Sequence, residues 1–195
     1  MDPINIIVAI NLFVSMTANM SAAKKGIKSK LSSVVKRPNT YLQKLPPNVA
    51  ALILIATVAA IFNLGTFQSE IKEQFGLLRI IGLLIFIAFS WFQVSSFKSL
   101  GEFYSQDILI FKNHKLIQNG PYKVLRHPQY LSQLLSDLGV GMALMGYLII
   151  PAVILVEVPL FILRAKAEDK LLKEYLSEDF KNYKNKSGFM IPFIG

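Results

Sequence analysis

The chain has 195 residues, of which 53% are hydrophobic and only 17% charged, and its mean hydropathy is +0.45. An average soluble domain carries about 25% charged residues, so a water-soluble globule is excluded, and so is a disordered chain, which is charge-rich and poor in apolar residues. The lack of cysteine removes disulfides and thiolate metal sites, and two histidines cannot build a multi-histidine centre; the net charge of +9 leaves its position along the chain to decide between nucleic acid and a membrane surface.

The first element is the uncharged run Pro3 to Ala23, 21 residues with Ile4, Ile6, Ile7, Val8, Ile10, Leu12, Phe13 and Val14 as its body. As a helix it is about 31 Å long, the thickness of a hydrocarbon core. An acidic start and the interruptions at Asn5 and Asn11 argue against a cleaved secretory signal, so the run is expected to be a retained span. A basic connection follows with Lys24, Lys25, Lys28, Lys30, Lys36, Arg37 and Lys44. The next uncharged run, Leu45 to Ser69, opens on Pro46-Pro47, which suits a helix start. After the polar break Glu70, Lys72 and Glu73, a third apolar run extends from Ile80 to Phe97 with Arg79 at its edge.

The stretch Gln129 to Leu163 is too long for one crossing, and Gly146 near its middle predicts a tight helical hairpin. The expected fold is therefore an all-α integral membrane protein of five transmembrane helices, the last two a hairpin. It forms a single polytopic domain over residues 1–195, with N-terminal spans in 1–97 and the remaining core in 98–195. Beyond the hairpin, Leu171, Leu172, Tyr175 and Leu176 keep helical spacing and predict a helical extension that leaves the bilayer.

Charge sets the expected orientation. Residues 24–44, 98–128 and 164–195 carry 7, 5 and 7 Lys/Arg, together 19 of the chain's 21. By the positive-inside tendency these three segments are cytoplasmic and the N-terminus is outside. The +9 is then an orientation and lipid-headgroup signal, and no soluble basic module is present for nucleic acid.

Chemistry-bearing residues gather in two of the cytoplasmic segments. The first runs from His114 to Tyr130 and holds both histidines of the chain. Gly120-Pro121 makes a turn, and Pro128 fits the opening of a helix. His127 and Tyr130 then share a face at a helix start, near free backbone N–H groups that suit the carboxylate of a small zwitterion. In the second segment Arg164 and Glu168 are i,i+4 on one helix face, with Arg164 where a guanidinium can meet an anion at the membrane surface. Gly139-Val140-Gly141 lies within an apolar helix with no preceding strand, so it is expected to serve close helix packing rather than a nucleotide loop. Asp137 and Glu157 are intramembrane acids without an assigned role.

Gly120-Pro121-Tyr122, Arg126-His127-Pro128-Gln129-Tyr130, an apolar hairpin, and Arg164 with Glu168 together resemble the isoprenylcysteine carboxyl methyltransferases. Glu178-Asp179-Phe180-Lys181-Asn182-Tyr183 and Ile191-Pro192-Phe193-Ile194 are similar to that family's tail, so the resemblance covers roughly residues 106–195. It implies a methyltransferase core in 98–195 that uses S-adenosyl-L-methionine, with no metal, to esterify the C-terminal carboxylate of a prenylated cysteine drawn from the membrane lipid. By the same resemblance His114, Lys115, Leu116, Ile117, Tyr122, His127, Pro128, Gln129 and Tyr130 hold the cofactor. Arg164 and Glu168 are the implied catalytic pair, with Arg164 towards the substrate carboxylate. The family often has a run of acids around that Glu; here Ala167 precedes it and Asp169 follows. Phospholipid N-methyltransferases and, more distantly, membrane sterol reductases share a related arrangement, so an amine acceptor, a reductase and a non-enzymatic scaffold are the alternatives.

Overall fold

A computed structural model describes residues 2–29, 34–112, 114–192 and 194, without the side chains of residues 25–29; Lys30 and Phe193 lie outside the described residues. Helix α1 spans Pro3–Ser29. A short strand β1, Val34–Lys36, and a 3-10 turn lead into α2, Leu45–Ile61, with prolines in its first turn as expected. The short α3, Ser69–Gln74, precedes α4, Gly76–Leu100. Strand β2, Ile110–Phe111, pairs antiparallel with β1. Helix α5, Pro128–Leu144, turns back through Met145 to Leu148 into α6, Ile149–Ala152, which runs on through a π turn at Val153–Glu157 into α7, Val158–Lys184.

The expected hairpin is therefore present, with Gly146 in its turn, and its second arm runs on into the expected helical extension. The π turn stands just before Pro159, which offers no N–H and whose ring crowds the Leu155 carbonyl one turn earlier. The helix absorbs this by widening rather than ending.

Three helical stretches among the described residues are long and apolar enough to cross a membrane: Pro3–Lys24, Tyr41–Ile61 and Gly76–Phe103. Their outward side chains have the polarity of an inside-out surface. Leu77, Phe13 and Leu52 are 74%, 71% and 64% exposed, which suits lipid and would be costly in water. The chain is an integral membrane protein. Inside, Val8, Ile53, Phe86, Tyr130, Leu134, Val140, Leu144, Ile149, Val153 and Phe161 form one core shared by all the long helices.

Helices α4 and α5 meet at backbone distance. A Cβ on Gly139 would fall 2.6 Å from the Phe86 nitrogen, and one on Gly82 would fall 2.7 Å from the Gly139 carbonyl. Glycine at 139 thus serves helix packing, as its setting in the sequence suggested. At the end remote from the 24–44 connection, Arg79 donates to the Ala143 carbonyl at 2.9 Å and pairs with Asp2, while Lys72 donates to Asn63 Oδ1 at 2.7 Å. These contacts tie the start of α1 to the hairpin turn.

Candidate active site

The segment that leads into α5 is held at three points. Gly120 takes φ +54°, and a Cβ there would sit 2.4 Å from Ser99 Oγ, so this turn requires glycine. The Arg126 backbone N–H donates to the Gly188 carbonyl at 2.8 Å, and the Gly188 N–H donates to the Val124 carbonyl at 2.9 Å. The Tyr183 hydroxyl donates to the Tyr122 and Leu125 carbonyls at 2.7 and 3.1 Å. The C-terminal tail thereby clamps the Arg-His-Pro string from behind, and Arg126 adds a 2.6 Å hydrogen bond from Nη1 to the Ser187 carbonyl.

His127 occupies the N-cap of α5 and Pro128 its first turn. The His127 and Tyr130 rings stack at 5.7 Å with 6° between planes, so the i,i+3 relation read from the sequence is realised. His127 Nε2 lies 2.8 Å from Asp169 Oδ1, and Arg126 Nε donates to Asp169 Oδ2 at 3.1 Å. One carboxylate on α7 therefore fixes both side chains. Burial pushes the Asp169 carboxyl up, but the His127 hydrogen bond and the Arg126 charge outweigh it and hold it below its ordinary 3.8. Burial and the nearby Glu168 charge push the Tyr122 hydroxyl well up, so Tyr122 stays a neutral donor.

Glu168 and Arg164 meet at Tyr130. Tyr130 Oη donates to Glu168 Oε1, and Arg164 Nε donates to Tyr130 Oη at 2.8 Å. Arg164 Nε is also 3.5 Å from Glu168 Oε1, the i,i+4 pair expected on one helix face. The rest of the guanidinium is tied to backbone: Nη1 donates to the Leu42 carbonyl at 2.8 Å, and Nη2 to the Gln106 carbonyl at 2.5 Å. Arg164 is 3% exposed and stands behind the site wall rather than on it.

A cavity of about 140 Å³ opens in front of this cluster. His114, Lys115, Leu116, Ile117, Tyr122, His127, Gln129, Tyr130 and Glu168 all line it. Of the expected cofactor residues Pro128 alone is off the wall, where it serves as the first turn of α5. The His114 ring lies between Phe103, edge-on at 5.8 Å, and Phe111, stacked at 6.1 Å.

The remaining wall was missed in the sequence. It includes Ile108 to Phe111, and Leu171 and Leu172. Gln43 places the first of these: its Nε2 donates to the Ile108 carbonyl at 2.9 Å, and its Oε1 accepts from the Ile108 N–H at 2.9 Å. The short apolar run 108–111 after a polar stretch was the one available signal. A glutamine sixty-five residues away gives none. Mixed apolar walls, aromatic rings and the carboxylates of Asp107 and Glu168 fit an amphiphilic cation that carries a heterocycle.

Residues 80–174 match the model of the isoprenylcysteine carboxyl methyltransferase (ICMT) family. That segment contains the 114–130 string, Arg164 and Glu168, and it bears out the family resemblance read from those residues. A protein-S-isoprenylcysteine O-methyltransferase of Saccharomyces cerevisiae is 31% identical over 120 residues, covering 60% of this chain and 50% of the yeast protein. A protein of the same name from Tribolium castaneum is 30% identical over 82 residues, covering 42% of this chain and 29% of its own. The chain thus spans half or less of these curated relatives. The solved structure of the eukaryotic intramembrane Ras methyltransferase ICMT matches all of this chain and 69% of its own, with a TM-score of 0.68 at 21% identity. That likeness extends the family's fold over the N-terminal helices, which the family model does not reach.

Proposed function

We propose that this chain methylates the C-terminal carboxylate of a prenylated cysteine with S-adenosyl-L-methionine, at the cytoplasmic face of a membrane crossed five times. The observation that carries the reading is the single cavity that gathers the 114–117 loop, His127, Gln129, Tyr130 and Glu168. The curated relatives named for this reaction support it.

When bound, S-adenosyl-L-methionine supplies an electrophilic methyl on a cationic sulfonium. His114 to Ile117, Tyr122, His127, Gln129 and Tyr130 would hold it. Glu168 contributes negative charge on the wall of a partly desolvated pocket, where a cation is favoured. An acceptor carboxylate is already ionised near neutral pH, so none of these residues has to act as a general base. Their work is alignment and exclusion of water.

Arg164 remains the residue for the acceptor carboxylate, at the Nη2 edge that now holds the Gln106 carbonyl. A carboxylate is the stronger partner, because charge-assisted hydrogen bonds are roughly twice as strong as neutral ones. Exchange requires the loop at 104–108 to draw back. Tyr130 keeps the guanidinium and Glu168 in register while that happens.

The test is transfer of radiolabelled methyl from S-adenosyl-L-methionine to farnesylcysteine, with phosphatidylethanolamine as the rival acceptor. Farnesylcysteine is expected to be methylated, and Arg164→Ala and Glu168→Ala each to lower the rate by at least about tenfold. His127→Ala is expected to raise the apparent KM for the cofactor. Methylation of the amine acceptor alone would replace this reading with phospholipid N-methylation.

A further inference from the structure

A second cavity, of about 270 Å³, lies wholly within the membrane-spanning part, between α1, α2, α4 and α5. It neighbours the first along α5: Gln129 lines one and Gln133, a turn later on the same face, lines the other. Its polar side is continuous. Asn19 Nδ2 donates to Gln93 Oε1 at 3.1 Å, Gln93 Nε2 to Gln133 Oε1 at 2.5 Å, and Gln133 Nε2 to Asp137 Oδ2 at 2.6 Å. Every donor in this relay points the same way, so it starts on a bare acceptor. Among the described residues Asn19 Oδ1 is buried with no partner, and so is Oγ1 of Thr57, a residue only 2% exposed. Both atoms belong to residues on the cavity wall.

Leaving two buried polar atoms unpaired at membrane depth is costly, and each can accept a hydrogen bond. Among the described residues no lysine, arginine or histidine lines the space, whereas Asp137 does. Phosphate and carboxylate headgroups are thereby disfavoured, which separates this cavity from any site for an acceptor carboxylate. Leu12, Leu54 and Phe86 give it apolar walls, and Met16 and Met20 stand at its exposed rim on α1. Flexible thioethers there suit a chain that passes in from lipid.

We propose that this cavity binds an amphiphile whose headgroup donates hydrogen bonds, a long-chain alcohol or amine, seated with the headgroup on Thr57 and Asn19 and the chain towards the lipid. The site stands independently of the methyl-transfer reading.

The chain's single tryptophan reports on it. Trp91 Nε1 donates to Asn11 Oδ1 at 3.1 Å, and Asn11 Nδ2 donates at 2.9 Å to Ser90 Oγ, on the cavity wall. The full chain in lipid nanodiscs is titrated with twelve-carbon probes brominated near one end, carrying an alcohol, an amine, a carboxylate or no headgroup. Saturable quenching is expected from the alcohol, the amine or both. The carboxylate and the bare bromoalkane are expected to need at least about ten times more probe, since neither satisfies the acceptors. Thr57→Val and Asn19→Leu are each expected to raise the half-saturating alcohol or amine by about fivefold, the worth of one hydrogen bond. Saturation by alcohol alone or amine alone names the headgroup. Linear quenching equal for all four probes means a cavity that holds only water and overturns the proposal, as do carboxylate binding of equal strength and variants that bind unchanged. The comparison of headgroups is made on the native chain, so a variant that folds poorly does not obscure it.

Discussion

Asp169 was expected only as the neighbour of a catalytic acid, yet it holds the Arg-His pair together, with Arg126 at 3.1 Å and His127 at 2.8 Å. Arg126 is 6% exposed, so removing the Asp169 carboxylate takes a charge-assisted partner from a buried guanidinium. Asp169→Ala is expected to destabilise the fold by roughly 3 kcal/mol, measured as a lowered midpoint of thermal unfolding. The pH dependence has a definite sign. The folded carboxyl titrates below its unfolded value of 3.8, so its stabilisation is complete above that value and is lost as pH falls through the lower, folded one. The gap in Tm between wild type and Asp169→Asn should therefore be wide at pH 6 and close below about pH 4; a gap unchanged at pH 3 would contradict this. At this scale the sequence was informative wherever residues act on neighbours three or four positions away, as His127 with Tyr130 and Arg164 with Glu168 do. It was silent on the carbonyls of Leu42 and Gln106, because a backbone acceptor has no side-chain signature.

The π turn at Val153–Glu157 decides which residues of α7 face Tyr130. A π turn amounts to one extra residue in an α-helix, and each residue turns the helix by about 100°. Deleting the lipid-facing Leu155 is expected to restore regular winding and swing Arg164 and Glu168 off the site. Methyl transfer and cofactor binding should be lost while the helical circular dichroism signal persists; retained activity would show that the turn has no part in placing them. The contact of α4 with α5 has its own test. Gly139→Val inserts a branched side chain where the Phe86 nitrogen leaves no space, at an expected cost of about 1–3 kcal/mol in unfolding stability. The hairpin was legible because Gly146 interrupts a run too long for one crossing. The π turn in its second arm was not, since a widened turn carries no period. Strands of three and two residues, β1 and β2, are likewise too short to show alternation.

For the molecule as a whole, the charge distribution makes a claim about sidedness that the fold sharpens. The basic segments 24–44, 98–128 and 164–195 converge structurally as well as in charge: β1 pairs with β2, Arg37 pairs with Asp107 at 2.8 Å, and Arg164 reaches the carbonyls of Leu42 and Gln106. The first cavity is lined from the second and third of these segments and from the first turn of α5. At the other end the Thr66 and Gly146 backbones pair, and Lys72, Arg79 and Asp2 close the bundle. Two ends so different in Lys/Arg content cannot exchange sides freely, since the positive-inside tendency acts on short loops near the helix ends. That tendency predicts a cytoplasmic cavity and C-terminal helix, with α3 facing outside. The chain has no cysteine, so single introduced thiols report the topology cleanly. Glu70→Cys on α3 and Lys173→Cys on α7 both replace exposed side chains. In intact cells a membrane-impermeant maleimide should label position 70 and leave position 173 unmodified until the membrane is permeabilised. The reverse pattern would place the cavity outside, beyond reach of a cytoplasmic cofactor pool, and would remove the methyl-transfer reading along with the topology.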